Sequence, residues 1–215
     1  MLQGRAYFEG GCVPLLQTDK RKSLPTQYLT RIAILSALAA ILFYFPEIPV
    51  FPPIYKLDFS NLPVLLGAFS MGPMAGVWIL LIKSLTGLMH SSSAGVGELA
   101  DFIMGAALIV PAAVIYRMNK TRRGALIGML VGTVVLVAVA VLVNWKIMIP
   151  FYMGAYHMSM EGVVGLLQGT IPFIDSEWKL LLCATAPFNL LKGVVLSLLT
   201  CLMYKRLSPL LHVKK

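Results

Sequence analysis

Two lysines stand inside long apolar stretches, where an ammonium group needs a partner or water. Lys192 follows Asn189 by three residues in "APFNLLKG", so on a helix the amide and the ammonium share a face. Lys83 lies within "MAGVWILLIKSLTG", and Glu98 and Asp101 in "GELADF" are three apart, on one face at the start of the following helix. Antiparallel packing of these neighbouring helices would bring Lys83 to the depth of both carboxylates. A structural ion pair would let the lysine enter an apolar layer; the same groups could instead relay protons in a secondary transporter. Asn144 closes another apolar run at a depth matching Asn189 and Lys192, beside the aromatic stretch "NWKIMIPFYMGAY" and the Pro-rich "EIPVFPPIYKLDFSN". Ordinary hydrogen bonding between helices is one use for such amides. Donors and acceptors ringed by flat apolar groups also describe a pocket for a planar small molecule with a polar edge.

The elements that must position these groups follow from composition. With 58% hydrophobic and 13% charged residues and a mean hydropathy of +0.82, the chain has more apolar surface than a soluble core hides. It reads as an all-α integral membrane protein. Six spans are expected: Tyr28 to Phe45, a short second helix from Leu62 to Ser70, Met74 to His90, Glu98 to Tyr116, Gly124 to Asn144, and Pro187 to Tyr204. Pro46, Pro49, Pro52 and Pro53 end the first, and Gly72-Pro73 separates the second from the third.

The net charge of +9 points to membrane topology rather than nucleic acid, because most basic residues flank the spans. Arg5, Lys20, Arg21, Lys22 and Arg31, the loop Arg117, Lys120, Arg122 and Arg123, and Lys205, Arg206, Lys214 and Lys215 all fall on one side. By the positive-inside rule that side is cytoplasmic, which places both termini there and the candidate pocket near the extracellular face. Residues 1–27 lack a signal-peptide pattern and read as a mobile cytoplasmic tail; 28–206 form the membrane domain and 207–215 a basic tail.

Gly124, Gly128 and Gly132 recur every four residues, as do Ala33 and Ala37, or in another register Ser36 and Ala40. Small residues at that spacing let helix backbones approach, and on the first helix they could also receive an external partner. "GVGELA" has the form of a dinucleotide fingerprint but lacks a preceding strand, and no phosphate-binding P-loop occurs. His90, His157 and His212 are widely separated, so no metal site is expected. Cys12, Cys183 and Cys201 read as free thiols, and no nucleophile and base pair suggests catalysis.

"KLDFSNLPVLLGAFSMGPMAGV" (56–77), "GELADFIMG" (97–105) and "APFNLLKG" (186–193), in this order within a six-span frame, resemble the substrate-binding S component of energy-coupling factor (ECF) vitamin transporters, specifically the riboflavin-binding type. The likeness runs from about residue 28 to 206; the tail before it has no recognised counterpart, and the stretch from about Trp145 to Ala186 is long for this family, so its contacts are not carried over. It implies a bacterial plasma-membrane subunit that binds riboflavin from outside, has no cofactor, and docks on a transmembrane coupling subunit carrying two ATPase subunits. It also implies that Ala33 and Ala37 face that coupling subunit, and that Asn144, Asn189 and Lys192 meet the ring system. An amide both donates and accepts, which suits the alternating edge of the flavin. Glu47, Asp58 and Asn61 would serve the ribityl hydroxyls, with Phe51, Tyr55 and Trp145 over the ring faces. The competing readings are a stand-alone proton-coupled transporter using Lys83, Glu98 and Asp101, an S component for another vitamin, and an intramembrane enzyme.

Overall fold

A computed structural model of the chain describes residues 26–45, 48–51, 55–89, 91, 93–168 and 171–211. The expected N-terminal tail, apart from its last two residues, and the end of the C-terminal tail lie outside these, as does Glu47. Helix α1 (Thr26–Tyr44) leads into a two-stranded antiparallel hairpin, β1 (Ile48–Phe51) and β2 (Tyr55–Leu57). Ile48 pairs with Leu57 and Phe51 with Tyr55. Pro49 lies in β1 opposite Lys56, which suits a two-stranded ribbon whose outer edges need no donors.

Next come α2 (Asn61–Met71), α3 (Pro73–Leu88), α4 (Val96–Met118) and α5 (Arg122–Val143). Gly72 joins α2 to α3 with φ 106°, a conformation that favours glycine, and Pro73 opens α3, where its missing N–H costs nothing. Helix α2 is buried from Asn61 through Phe69, and an apolar sequence on all sides suits that central position. The glycine stripe of α5 packs on α4: a Cβ on Gly128 would lie 2.6 Å from the Ala112 carbonyl oxygen. These glycines therefore serve internal packing.

Helix α5 does not stop at Asn144 as expected. A π-helical turn, Asn144–Met148, carries it into α6 (Ile149–Ala155). After α7 (Met160–Gln168), a second π turn, Leu181–Thr185, joins the short α8 (Glu177–Leu180) to α9 (Ala186–Leu211). Pro150 and Pro187 each fall just beyond a π turn, where the chain is already released from regular i to i−4 pairing. The last helix thus starts earlier and ends later than Pro187 to Tyr204, and the expected boundary at residue 206 falls inside it.

Among the described residues, four helices are long and apolar enough to cross a membrane: Thr26–Tyr44, Val96–Met118, Arg122–Ala155 and Glu177–Met203. Helices α2 and α3, with 11 and 16 residues, fall short of the roughly 20 that span a bilayer. Two apolar clusters organise the whole. One gathers Ile32, Leu35, Leu65, Ile79, Leu108, Ile109 and Leu196 from the bundle. The other packs Tyr55 and Leu57 of the hairpin against Ile149, Val164, Leu167, Ile174, Leu180 and Phe188. Asp58 directly follows the second cluster in sequence and Asn61 opens the central helix of the first, so residues 58–61 mark the seam between them.

Candidate ligand site

That seam holds a closed ring of polar side chains. Lys192 of α9 donates to Asp58 Oδ2 at 2.9 Å, and its ammonium lies 3.6 Å from Asp101 Oδ1 on α4. The other oxygen, Asp101 Oδ2, is 2.7 Å from the ammonium of Lys83 on α3. Lys83 also donates to Ser60 Oγ at 2.8 Å and to Asn61 Oδ1 at 3.0 Å. Ser60 closes the ring, its hydroxyl donating to Asp58 Oδ1 and its backbone N–H reaching the same oxygen at 2.9 Å. The lysines and aspartates balance in charge. Burying ions is costly, and only mutual pairing with further hydrogen bonds repays it.

The ring's two lysines differ in access. The Lys83 side chain is fully buried, with the Phe43 ring centroid 5.1 Å from its ammonium. The Lys192 side chain keeps 10% exposure. Asp58 lies in the loop between hairpin and bundle. Burial pushes its carboxyl up, but Lys192, Lys83 and the Ser60 hydroxyl more than reverse this and hold it well below the usual carboxylate range.

The amides take a different course. Asn189 Nδ2 donates to the Thr185 carbonyl at 2.9 Å, at the end of the second π turn. Asn144 Nδ2 donates to the Ala140 carbonyl at 2.8 Å, at the start of the first. Each amide folds back on its own helix, and its oxygen makes no hydrogen bond among the described residues. The Thr185 hydroxyl meets the phenol of Tyr55 at 2.5 Å, and the Tyr55 and Phe188 rings pack with centroids 5.0 Å apart. Burial pushes the Tyr55 hydroxyl up to about 12, against the lowering effect of Thr185. Tyr55 therefore stays neutral, and its contact with the Thr185 hydroxyl pins the hairpin to the start of α9.

Protein partners occupy several of the residues expected at the site. Of the carboxylates proposed for Lys83, Asp101 meets it, whereas Glu98 accepts from Ser91 at 2.7 Å and Ser93 at 3.3 Å. Those serines sit in the loop before α4 and draw the carboxylate toward the helix start. Asp58 and Asn61, expected at the ribityl chain, hold the two lysines. Trp145 stacks with Trp178 at 5.5 Å and lies under Lys146 at 3.6 Å. Ser60 was missed, and so was the link from Lys192 to Asp101. A groove of about 500 Å³ between α3 and α4, lined by Leu85, Leu88, Leu99 and Phe102 among others, includes no ring residue. On α1, Ala33 and Ala37 are exposed and Ser36 is buried, so the structure turns the first of the two alanine registers outward.

Long apolar helices around a charge-balanced ring of buried ions give the chain the form of a membrane protein. The profile of the ECF transporter substrate-specific component matches residues 27–204, and the chain belongs to that family. It is similar to the riboflavin transporter RibU of Staphylococcus aureus, 31% identical over 185 residues that cover 85% of this chain and 91% of the relative. It is also similar to the riboflavin transporter FmnP of Bacillus subtilis, 28% identical over 188 residues, with 84% and 92% covered. A solved structure described as the S component of a bacterial ECF transporter superposes with a TM-score of 0.67 at 31% identity, covering 87% of this chain and 99% of that one.

Proposed function

We propose that this chain is the riboflavin-binding membrane subunit of an ATP-driven ECF importer in a bacterial plasma membrane. It captures the vitamin outside and releases it inside after docking on a transmembrane coupling subunit, with ATP hydrolysed by two partner ATPase subunits. In this reading residues 28–206 make a six-span domain, α2 and α3 counting as short spans. The termini, 1–27 and 207–215, are cytoplasmic, and the binding hollow lies near the extracellular face.

One observation supports the site: Asn144, Asn189 and Lys192 retain polar atoms that no described protein group uses. A lysine ammonium has three donors, and its partners here are Asp58 and Asp101. The amide oxygens of Asn144 and Asn189 supply acceptors, so together these groups match a planar edge of alternating donors and acceptors. Asp58 serves first to hold Lys192, while Asn61 keeps its amide nitrogen for a ribityl hydroxyl, as Glu47 would offer its carboxylate. The exposed face of Ala33 and Ala37 is the docking surface for the coupling subunit.

Titrating riboflavin into the detergent-purified protein tests this reading through quenching of flavin fluorescence. Saturable quenching at one flavin per chain is expected, and its absence would overturn the ligand assignment. Uptake that survives ATP depletion but collapses with an uncoupler would instead support a proton-coupled transporter.

A further inference from the structure

Lys83 is too deeply buried to touch a solute, yet two of the three described polar partners of its ammonium, Asp101 and Ser60, lead on to Lys192. Asp101 is held through Oδ2 at 2.7 Å and offers its other oxygen to Lys192 at 3.6 Å. Ser60 is held at 2.8 Å and in turn donates to Asp58, the direct partner of Lys192 at 2.9 Å. Asn61, held at 3.0 Å, opens α2 and fixes the backbone that carries Ser60. Both carboxylates that aim the Lys192 ammonium are therefore anchored on Lys83, one directly and one through a hydroxyl.

We infer that Lys83 is a positioning residue for ligand binding, setting the direction of the Lys192 ammonium through Asp101 on one side and Ser60 and Asp58 on the other. This rests on the reading of Lys192 as a ligand donor. Without Lys83, Asp101 and Asp58 would crowd one remaining cation. Lys192 would then be drawn fully into charge neutralisation and lose its donor to the solute. A buried lysine that merely filled space would contribute to folding without touching the energetics of Lys192.

A double-mutant cycle on the full-length purified protein separates these cases. The variants are Lys83→Met, Lys192→Met and the double variant, each titrated with riboflavin by fluorescence quenching. Lys83→Met is expected to weaken binding about tenfold, the effect of losing one well-placed hydrogen bond to a charged group. In the Lys192→Met background the same change is expected to move affinity less than about twofold, because the group it positions is gone. Equal losses in both backgrounds, or no loss from Lys83→Met alone, would overturn the inference while leaving the ligand site standing. Unchanged affinity in Lys192→Met would overturn the ligand site and the inference with it.

Should Lys83→Met fail to fold, Lys83→Met/Asp101→Asn removes cation and anion together and leaves Asp58 with Lys192 as a balanced pair. With the anchors on Ser60 and Asp101 both gone, the Lys192 ammonium loses its fixed direction even without crowding. This variant is therefore expected to fold with weakened, Lys192-dependent binding; wild-type affinity in it would contradict the inference.

Discussion

The two ends of the buried ring use the same chemistry to opposite ends. At the Lys83 end the ammonium is sealed: a hydroxyl, an amide oxygen, a carboxylate and an aromatic face surround it, and the lysine side chain itself is fully buried. At the Lys192 end Asp58 and Asp101 take up the ammonium, and the side chain keeps a margin of exposure. A sealed ammonium can organise a fold, whereas a half-satisfied one can bind. The difference is imposed by position, since Lys83 sits mid-way along a helix packed on α2 and α4, while Lys192 points into the junction between bundle and hairpin.

If the sealed end is structural in its energetics, Asp101→Ala should give the largest effect. It strips a buried cation of its counter-charge and should cost about 3–5 kcal/mol of stability, the range for breaking a buried pair, read as a lower denaturation midpoint in detergent. The exposed pair of Lys179 and Asp175 provides the contrast: Asp175→Asn should leave the midpoint unmoved, as surface pairs contribute little. Equal shifts in the two variants would remove the distinction between sealed and solvated pairs.

The open end predicts a smaller and different signature. Lys192→Ala or Asn189→Ala should weaken riboflavin binding at least about tenfold, since an unpaired polar group loses roughly 1–3 kcal/mol, while the protein still folds. Unaltered quenching curves in both would remove the ligand role. Ala37→Trp, on the exposed side of α1 and off the ring, should leave binding intact yet stop uptake in cells that hold the coupling module. Normal uptake in that variant would remove the docking role from this face.

The smallest effect concerns pH. Because the folded Asp58 carboxyl is held below its unfolded value, its stabilisation is fully present above the ordinary carboxylate range and is lost only as pH falls through the depressed folded value. The stability difference between the wild type and Asp58→Asn should therefore be the same at about pH 8 and about pH 5. A difference that shrinks across that interval would mean that Asp58 is not held by the lysines.

The bundle was legible in the sequence and the cap was not, for a physical reason. Helices α1 to α5 announce themselves through apolar length, glycine spacing and the Gly72-Pro73 break, all local signals. The hairpin, the π turns and α6 to α8 depend on contacts between distant residues, such as Tyr55 with Thr185, which no local pattern encodes. Pro187 reads as a helix start, although it sits just past a π turn that continues the helix from α8. Within the site, Lys83, Asp101 and Lys192 stood out because charge in apolar sequence is conspicuous. Ser60 did not, because a serine beside an aspartate and an asparagine reads as an ordinary turn. Glu98 was drawn to Lys83 on helical spacing alone, while the serines that claim it lie in a loop whose path spacing does not give.

The most direct test is a crystal structure of the protein with riboflavin bound. The account predicts the polar edge of the ring system at the seam, with the Lys192 ammonium and the Asn189 amide within hydrogen-bonding distance and Lys83 still closed against Asp101. Flavin seated elsewhere, for instance in the groove between α3 and α4, with Lys192 still turned to its carboxylates and away from the vitamin, would contradict it.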